Sequence, residues 1–235
     1  KAEWAEFFLT LPLALERADL RVTHAAWHAP SIEVLRAADD QSTIDVFDHY
    51  AKRAKADLAA SGLAEYAERE RLLHEHALFD ARTPVPLLPN LGKKDEHFQM
   101  SNPLRIITSG VERVTEDPFW AGGKWRMCDR VRWWDEYEDP TPVIIGHYWR
   151  MSRRAPRKGA SVSDGKPDMF DGAPHDAWQG ARDNVYCVDF SVGGRYRERA
   201  RNIVPFATHL AAVRWPEREV MFEDGHVSPL TSRLE

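Results

Sequence analysis

Three bulky apolar residues, Val143-Ile144-Ile145, run into Gly146-His147 and then into Tyr148, Trp149 and Arg150. The run reads as a buried strand that ends on an imidazole, and a buried strand must be covered by other layers of structure. A second apolar strand, Leu20 to His24, ends the same way on His24. In open α/β sheets ligands gather at the carboxyl ends of strands, and a histidine there is held on a rigid element. Neutral imidazole suits Zn, Fe, Ni and Cu. A glycine beside it removes a Cβ where a neighbouring backbone or a metal centre must come close. Against this stands packing, because a strand-end histidine is often a satisfied core residue.

The rest of the chain gives these strands a frame. Residues 2–9 read as a short helix with Trp4, Phe7 and Phe8 at helical spacing, ended by Pro12. Pro30-Ser31 opens a helix to Arg36. Ile44 to Phe79 is helical with a break at Ser61-Gly62, and 43–82 reads as a helical insertion. PVPLLPN is an extended connector. Leu104 to Thr108 is expected as a strand, Val131 to Tyr137 as a strand or sheet edge, and the Gly-Gly of FWAGGKWR as a turn. Residues 152–182 read as a long loop. Short strands follow at Val185–Phe190, about His209–Trp215, and Glu219–Phe222. The pattern is α/β, a mixed sheet covered by helices, expected as a single domain over 1–235.

Composition narrows the function classes. With 43% hydrophobic and 29% charged residues the chain is globular and not disordered. Its net charge of −5 argues against a general nucleic-acid footprint. The exception is the basic stretch Arg150 to Lys158, whose ordinary reading is a solvated loop. Two cysteines, Cys128 and Cys187, make no disulfide framework and are expected as reduced thiols of a cytoplasmic protein. No apolar run reaches membrane-spanning length. His74 and His76 lie two apart on a helix and face different ways. His49, His97, His175, His209 and His226 have no partner at ligand spacing.

DLRVTHAAWH, TSGVER, GGKWR, RVRWWDEY, VIIGHYWR and NVYCVDFSVGGRY occur in this order. Together they resemble the C-terminal part of a bacterial calcineurin-like metallophosphoesterase. The branch is the one related to serine/threonine protein phosphatases and diadenosine-tetraphosphate hydrolases, and the resemblance covers nearly the whole chain. It implies the C-terminal part of a four-layer α/β/β/α sandwich with two divalent metal ions, Mn, Fe or Zn, between strand ends. It matches His24 and Gly146-His147 to the family's last two blocks and so implies that His24 and His147 are metal ligands. The three earlier blocks, G-D-x-H-G, G-D-x-x-D-R-G and G-N-H-E, are absent, general-acid histidine included. The chain starts at Lys1, so the simplest expectation is that the metal-binding N-terminal half precedes it.

The family has a phosphate-binding arginine between its last two blocks. Arg126, Arg130 and Arg132 are the candidates, with Arg150 beside them, each weighed against a surface or ion-pairing role. His28 is read as structural, and Asp189 as a residue that orients the strand-end loop or merely packs. The implied activity is hydrolysis of a phosphate ester, on a small molecule or a phosphoprotein, by water activated between two metals. By itself this piece is expected to be inactive, with at most half a metal site. The alternative is a stand-alone binding domain that has lost catalysis. The basic stretch leaves a nucleic-acid phosphatase as a weaker option. If the metal reading is right, the imidazoles of His24 and His147 must converge.

Overall fold

The computed structural model describes residues 2–38, 40–150, 169–170 and 173–232. The elements are α1 (Ala2–Leu9), β1 (Ala14–Arg17), β2 (Leu20–Thr23), α2 (Ala29–Arg36), α3 (Thr43–Ser61), α4 (Leu63–Leu73), α5 (Glu75–Leu78), α6 (Pro89–Met100) and α7 (Pro103–Ser109). They continue with β3 (Glu112–Ala121), β4 (Lys124–Arg130), β5 (Val143–Ile145), β6 (Val185–Cys187), α8 (Arg195–Ala200), β7 (Ala211–Arg214), β8 (Glu219–Phe222) and β9 (Val227–Pro229). Single 3-10 turns lie at Trp133–Glu136 and Val192–Gly194. Helices and strands coexist, so the protein is of the α/β class. The chain divides into two compact units. Among the described residues, one holds 2–14 and 26–131, the other 15–25, 132–150, 169–170 and 173–232.

The first unit is helical with one hairpin. Ser42 starts α3 by accepting a hydrogen bond from the Asp45 amide at 3.1 Å, and Gly62 ends it with φ 71. Leu88 offers α6 no side-chain cap. The Glu70 carboxylate of α4 supplies one, accepting from the Asn90 and Leu91 amides at 3.2 and 2.8 Å, where a negative charge suits the helix N-terminus. The hairpin β3–β4 turns at Gly122-Gly123, whose φ values of 61 and 82 fit a two-residue turn with both central residues left-handed. Leu78, Val85, Leu88, Leu91, Trp125 and Met127 form this unit's core.

Two expected strands are corrected. Leu104–Thr108 lies in α7, because Asn102 caps it, accepting from the Leu104 amide at 3.1 Å, and Pro103 takes the first helical position. Its apolar residues meet the core as a helical face, an ambiguity that any short apolar run carries. In the second unit Trp133–Glu136 is a 3-10 turn and not a strand. There the Trp133 indole donates to the Ala25 carbonyl at 3.1 Å, and Trp134 is fully buried, stacked on Phe170 at 5.3 Å.

The second unit is built on a four-stranded sheet in the order β1-β2-β5-β6. Strands β2, β5 and β6 run parallel, with Val22 opposite Ile144 and Ile144 opposite Tyr186. β5 and β6 are buried at every position, as a strand covered on both faces must be. The antiparallel meander β7-β8-β9 is the other sheet. Ile144, Trp178, Tyr186, Phe190 and Val220 form the core, with Val22, Val213 and Phe222 packed against it. Arg21 on β2 is held by three groups at 2.7 Å: the carboxylates of Glu16 and Asp139 and the Tyr137 hydroxyl.

Candidate site at the strand ends

Register puts His24, Gly146 and Asp189 at one end of the parallel strands. The Gly146 amide donates to the His24 carbonyl at 3.0 Å and the Val188 amide to the Ile145 carbonyl at 2.8 Å, so the ladder continues to its carboxyl edge. The imidazoles of His24 and His147 meet there, with ring centroids 5.2 Å apart and planes at 62°. His24 is exposed and His147 half-buried. The convergence expected from the sequence is present.

His147 sits in an unusual backbone. Its φ is 66, and the Tyr148 amide donates across it to the Gly146 carbonyl at 2.8 Å. A hydrogen bond from residue i+2 to i around a positive-φ centre marks the classic γ-turn, which is rare and strained. Trp149 also has positive φ, 51, and is 68% exposed. Such conformations persist only where the surroundings hold them, and they concentrate at ligand sites.

Arg150 does the holding. Its side chain is buried, 1% exposed, with Cζ over the rings of Phe170, Tyr186 and Phe190 at 5.2, 5.4 and 5.4 Å. The guanidinium donates to the carbonyls of Pro174 and Cys187, and the Arg150 amide donates to the Asp189 carbonyl at 2.8 Å. Asp189 in turn accepts from the Ser191 amide at 2.9 Å through its carboxylate. The turn that carries His147 is thus tied to the end of β6. Cys187 lies below it, fully buried, its Sγ 3.6 Å from the Gly146 carbonyl, and burial pushes its thiol up to about 12. Such a thiol is inert and not a nucleophile.

The glycine of Gly146-His147 is less constrained than its place implied. A Cβ on Gly146 would lie 3.6 Å from the His24 carbonyl oxygen and 3.7 Å from the Asp189 Cβ, ordinary contacts. Among the described residues nothing therefore requires glycine there.

The four candidate arginines separate. Arg150 is an interior cation, occupied as described. Arg132 is exposed in the same unit as the histidine pair and forms an ion pair with Asp135 at 3.0 Å. Arg126 and Arg130 lie on β4 in the other unit. There they offset the charge of two carboxyls that burial drives upward, Arg126 beside Asp95, and Arg126 with Arg130 beside Glu112. His28 caps α2, accepting from the Ser31 amide at 3.3 Å, as its structural reading requires. Of the basic stretch, Arg153, Arg154, Arg157 and Lys158 lie outside the described residues.

Two imidazoles bound to one ion at about 2.0–2.1 Å place their centroids about 5 Å apart, and the observed spacing is of that size. It is also ordinary for an edge-to-face ring pair. Donor number decides what the pair can hold. Among the described residues no group of three or more His, Cys, Asp or Glu side chains could hold a metal ion. The pair fits two corners of a centre and does not complete one.

Sequence reasoning found the pair but missed the γ-turn, for which Gly-His carries no distinctive signal. It also misplaced Arg150. The rings over its guanidinium, Phe170, Tyr186 and Phe190, lie 20 or more residues along the chain, so no local pattern marked a buried cation. No protein-family model matches the chain, and no curated protein or solved structure matches it. Among the described residues no helix is long and apolar enough to cross a membrane.

Proposed function

We propose that His24 and His147 are two ligands of a metal-dependent phosphoesterase centre whose remaining ligands come from outside the described residues. The supporting observation is the meeting of the two rings at the carboxyl end of parallel strands, one of them on a strained turn. A bound pair of divalent ions, Mn, Fe or Zn, would supply charge neutralisation and an activated water for attack on a phosphate ester. This chain's own share is narrower. His24 and His147 offer neutral nitrogens, Arg150 and Asp189 fix the turn beneath them, and Arg132 is exposed in the same unit to meet phosphate oxygens. The four-layer sandwich, a phosphorylated small molecule or phosphoprotein as substrate, and a cytoplasmic location belong to the same reading.

The test is cobalt titration of the full chain, followed by visible absorption and by His ring NMR. Weak binding that perturbs both rings, and that His24→Ala or His147→Ala each abolishes, is expected. Hydrolysis of p-nitrophenyl phosphate should appear only in a protein that supplies further ligands, and should fall in either variant by at least the roughly 10–100-fold that loss of a ligand's supporting partner costs. Cobalt binding indifferent to both variants would sink the reading.

A further inference from the structure

A large aromatic side chain is exposed at the strand-end surface. Tyr148 and Arg150 turn inward, 5% and 1% exposed, while Trp149 between them is 68% exposed. Both neighbours are pinned at the carboxyl edge of the parallel strands. The Tyr148 amide donates to the Gly146 carbonyl and the Arg150 amide to the Asp189 carbonyl, each at 2.8 Å. The Ser191 hydroxyl donates to the Arg150 carbonyl at 3.0 Å. The backbone of Trp149 is therefore fixed beside the histidine pair, two residues from His147.

The fold gains little from tryptophan at this position. With φ 51 the residue occupies the left-handed region, which a bulky side chain rarely adopts. Its ring stands mostly in water, so it forgoes most of the burial through which an indole stabilises a core. Neither the backbone nor the exposure calls for a large apolar ring. Strained backbone of this kind clusters at ligand sites, and His147, two residues earlier, shares it.

We infer that Trp149 is a specificity-determining residue of the strand-end site, and that the phosphate ester bound there carries a planar aromatic ring stacked on the indole. The phosphate end rests on the phosphoesterase reading above; the ring end rests on Trp149. Two residues of chain reach at most about 7 Å, so a ring one ester bond from a phosphate at the histidine pair is within range of the indole. An exposed indole offers a flat π-face, and a stacked ring matches it where an aliphatic group does not. A cationic ester group, which an indole also attracts, would lie beside the divalent ions of the proposed centre and be repelled.

The probes are phenyl phosphate and cyclohexyl phosphate, alike in charge and similar in size, of which only the first has a π-face. Each is titrated into the cobalt-treated full chain labelled with 5-fluorotryptophan, the Trp149 fluorine signal being assigned through Trp149→Phe. Phenyl phosphate is expected to shift that signal saturably and, by calorimetry, to bind at least fivefold more tightly than cyclohexyl phosphate. Trp149→Ala should remove the preference and Trp149→Phe restore most of it, which a merely structural role would not do. The side chain is exposed, and circular dichroism melting should confirm that both variants stay folded. Equal affinity for the two esters, a Trp149 signal that neither ester moves, or a preference that survives Trp149→Ala would overturn the inference. In His24→Ala with His147→Ala both esters should weaken together while the preference stays. If neither weakens, the phosphoesterase reading fails and the ring selectivity of Trp149 stands by itself.

Discussion

Two glycines of the second unit show how differently one residue type can be constrained. Gly180 has φ 88, and a Cβ there would sit 2.5 Å from the Trp134 carbonyl oxygen. Gly180→Ala must displace backbone packed on a fully buried tryptophan. It should cost roughly 3 kcal/mol or more in urea unfolding. Gly146→Ala meets only ordinary contacts among the described residues and should stay within about 1 kcal/mol of the parent. If it nevertheless abolishes cobalt binding, the space beside His147 belongs to a ligand and not to the fold. Gly146 was the conspicuous glycine in the sequence and Gly180 the inconspicuous one. The constraint on Gly180 comes from a chain segment more than forty residues away, which no local pattern reveals.

At the scale of elements, the turn after β5 depends on a buried cation. Arg150→Met would leave the Pro174 and Cys187 carbonyls without their donor, and should destabilise the second unit by about 3 kcal/mol. Arg150→Lys should recover only part of that, since a point charge cannot replace the planar fork among three rings. Unfolding followed through tryptophan fluorescence measures both. The strands around this turn were legible because continuous apolar runs bounded by turn residues mean buried strands. The helix α7 was not, because Leu104–Thr108 is too short for its period to show. Only the Asn102-Pro103 cap, read as a start signal, would have distinguished it.

Across the molecule, acid should act on the two units in opposite ways at particular carboxyls. In the second unit burial raises Glu198, but hydrogen bonds from Thr208 and Ala207 outweigh it and hold the group below the usual carboxylate range. Its stabilisation is present above the unfolded-state value and is lost as pH falls through the folded one. Glu198→Gln should therefore cost most at pH 7 and progressively less towards pH 3. In the first unit burial raises Asp95, so the native state holds its proton more tightly than the unfolded chain. Stability there falls as pH rises through the window between the two values. Asp95→Asn should raise the unfolding midpoint at pH 7, a gain that disappears near pH 4. Opposite slopes for the two variants are the readout. The α/β class and the meeting of the two histidines were legible from the chain. The division into two units was not, because contacts between distant segments define it.

Histidine is a poor tenant of a left-handed γ-turn, where glycine or asparagine would sit with less strain. A library of variants selected for heat resistance alone should therefore drift towards Gly or Asn at position 147. One selected for metal capture should keep the imidazole and accept the lower melting temperature. The direction of that drift would show what the strained residue is kept for.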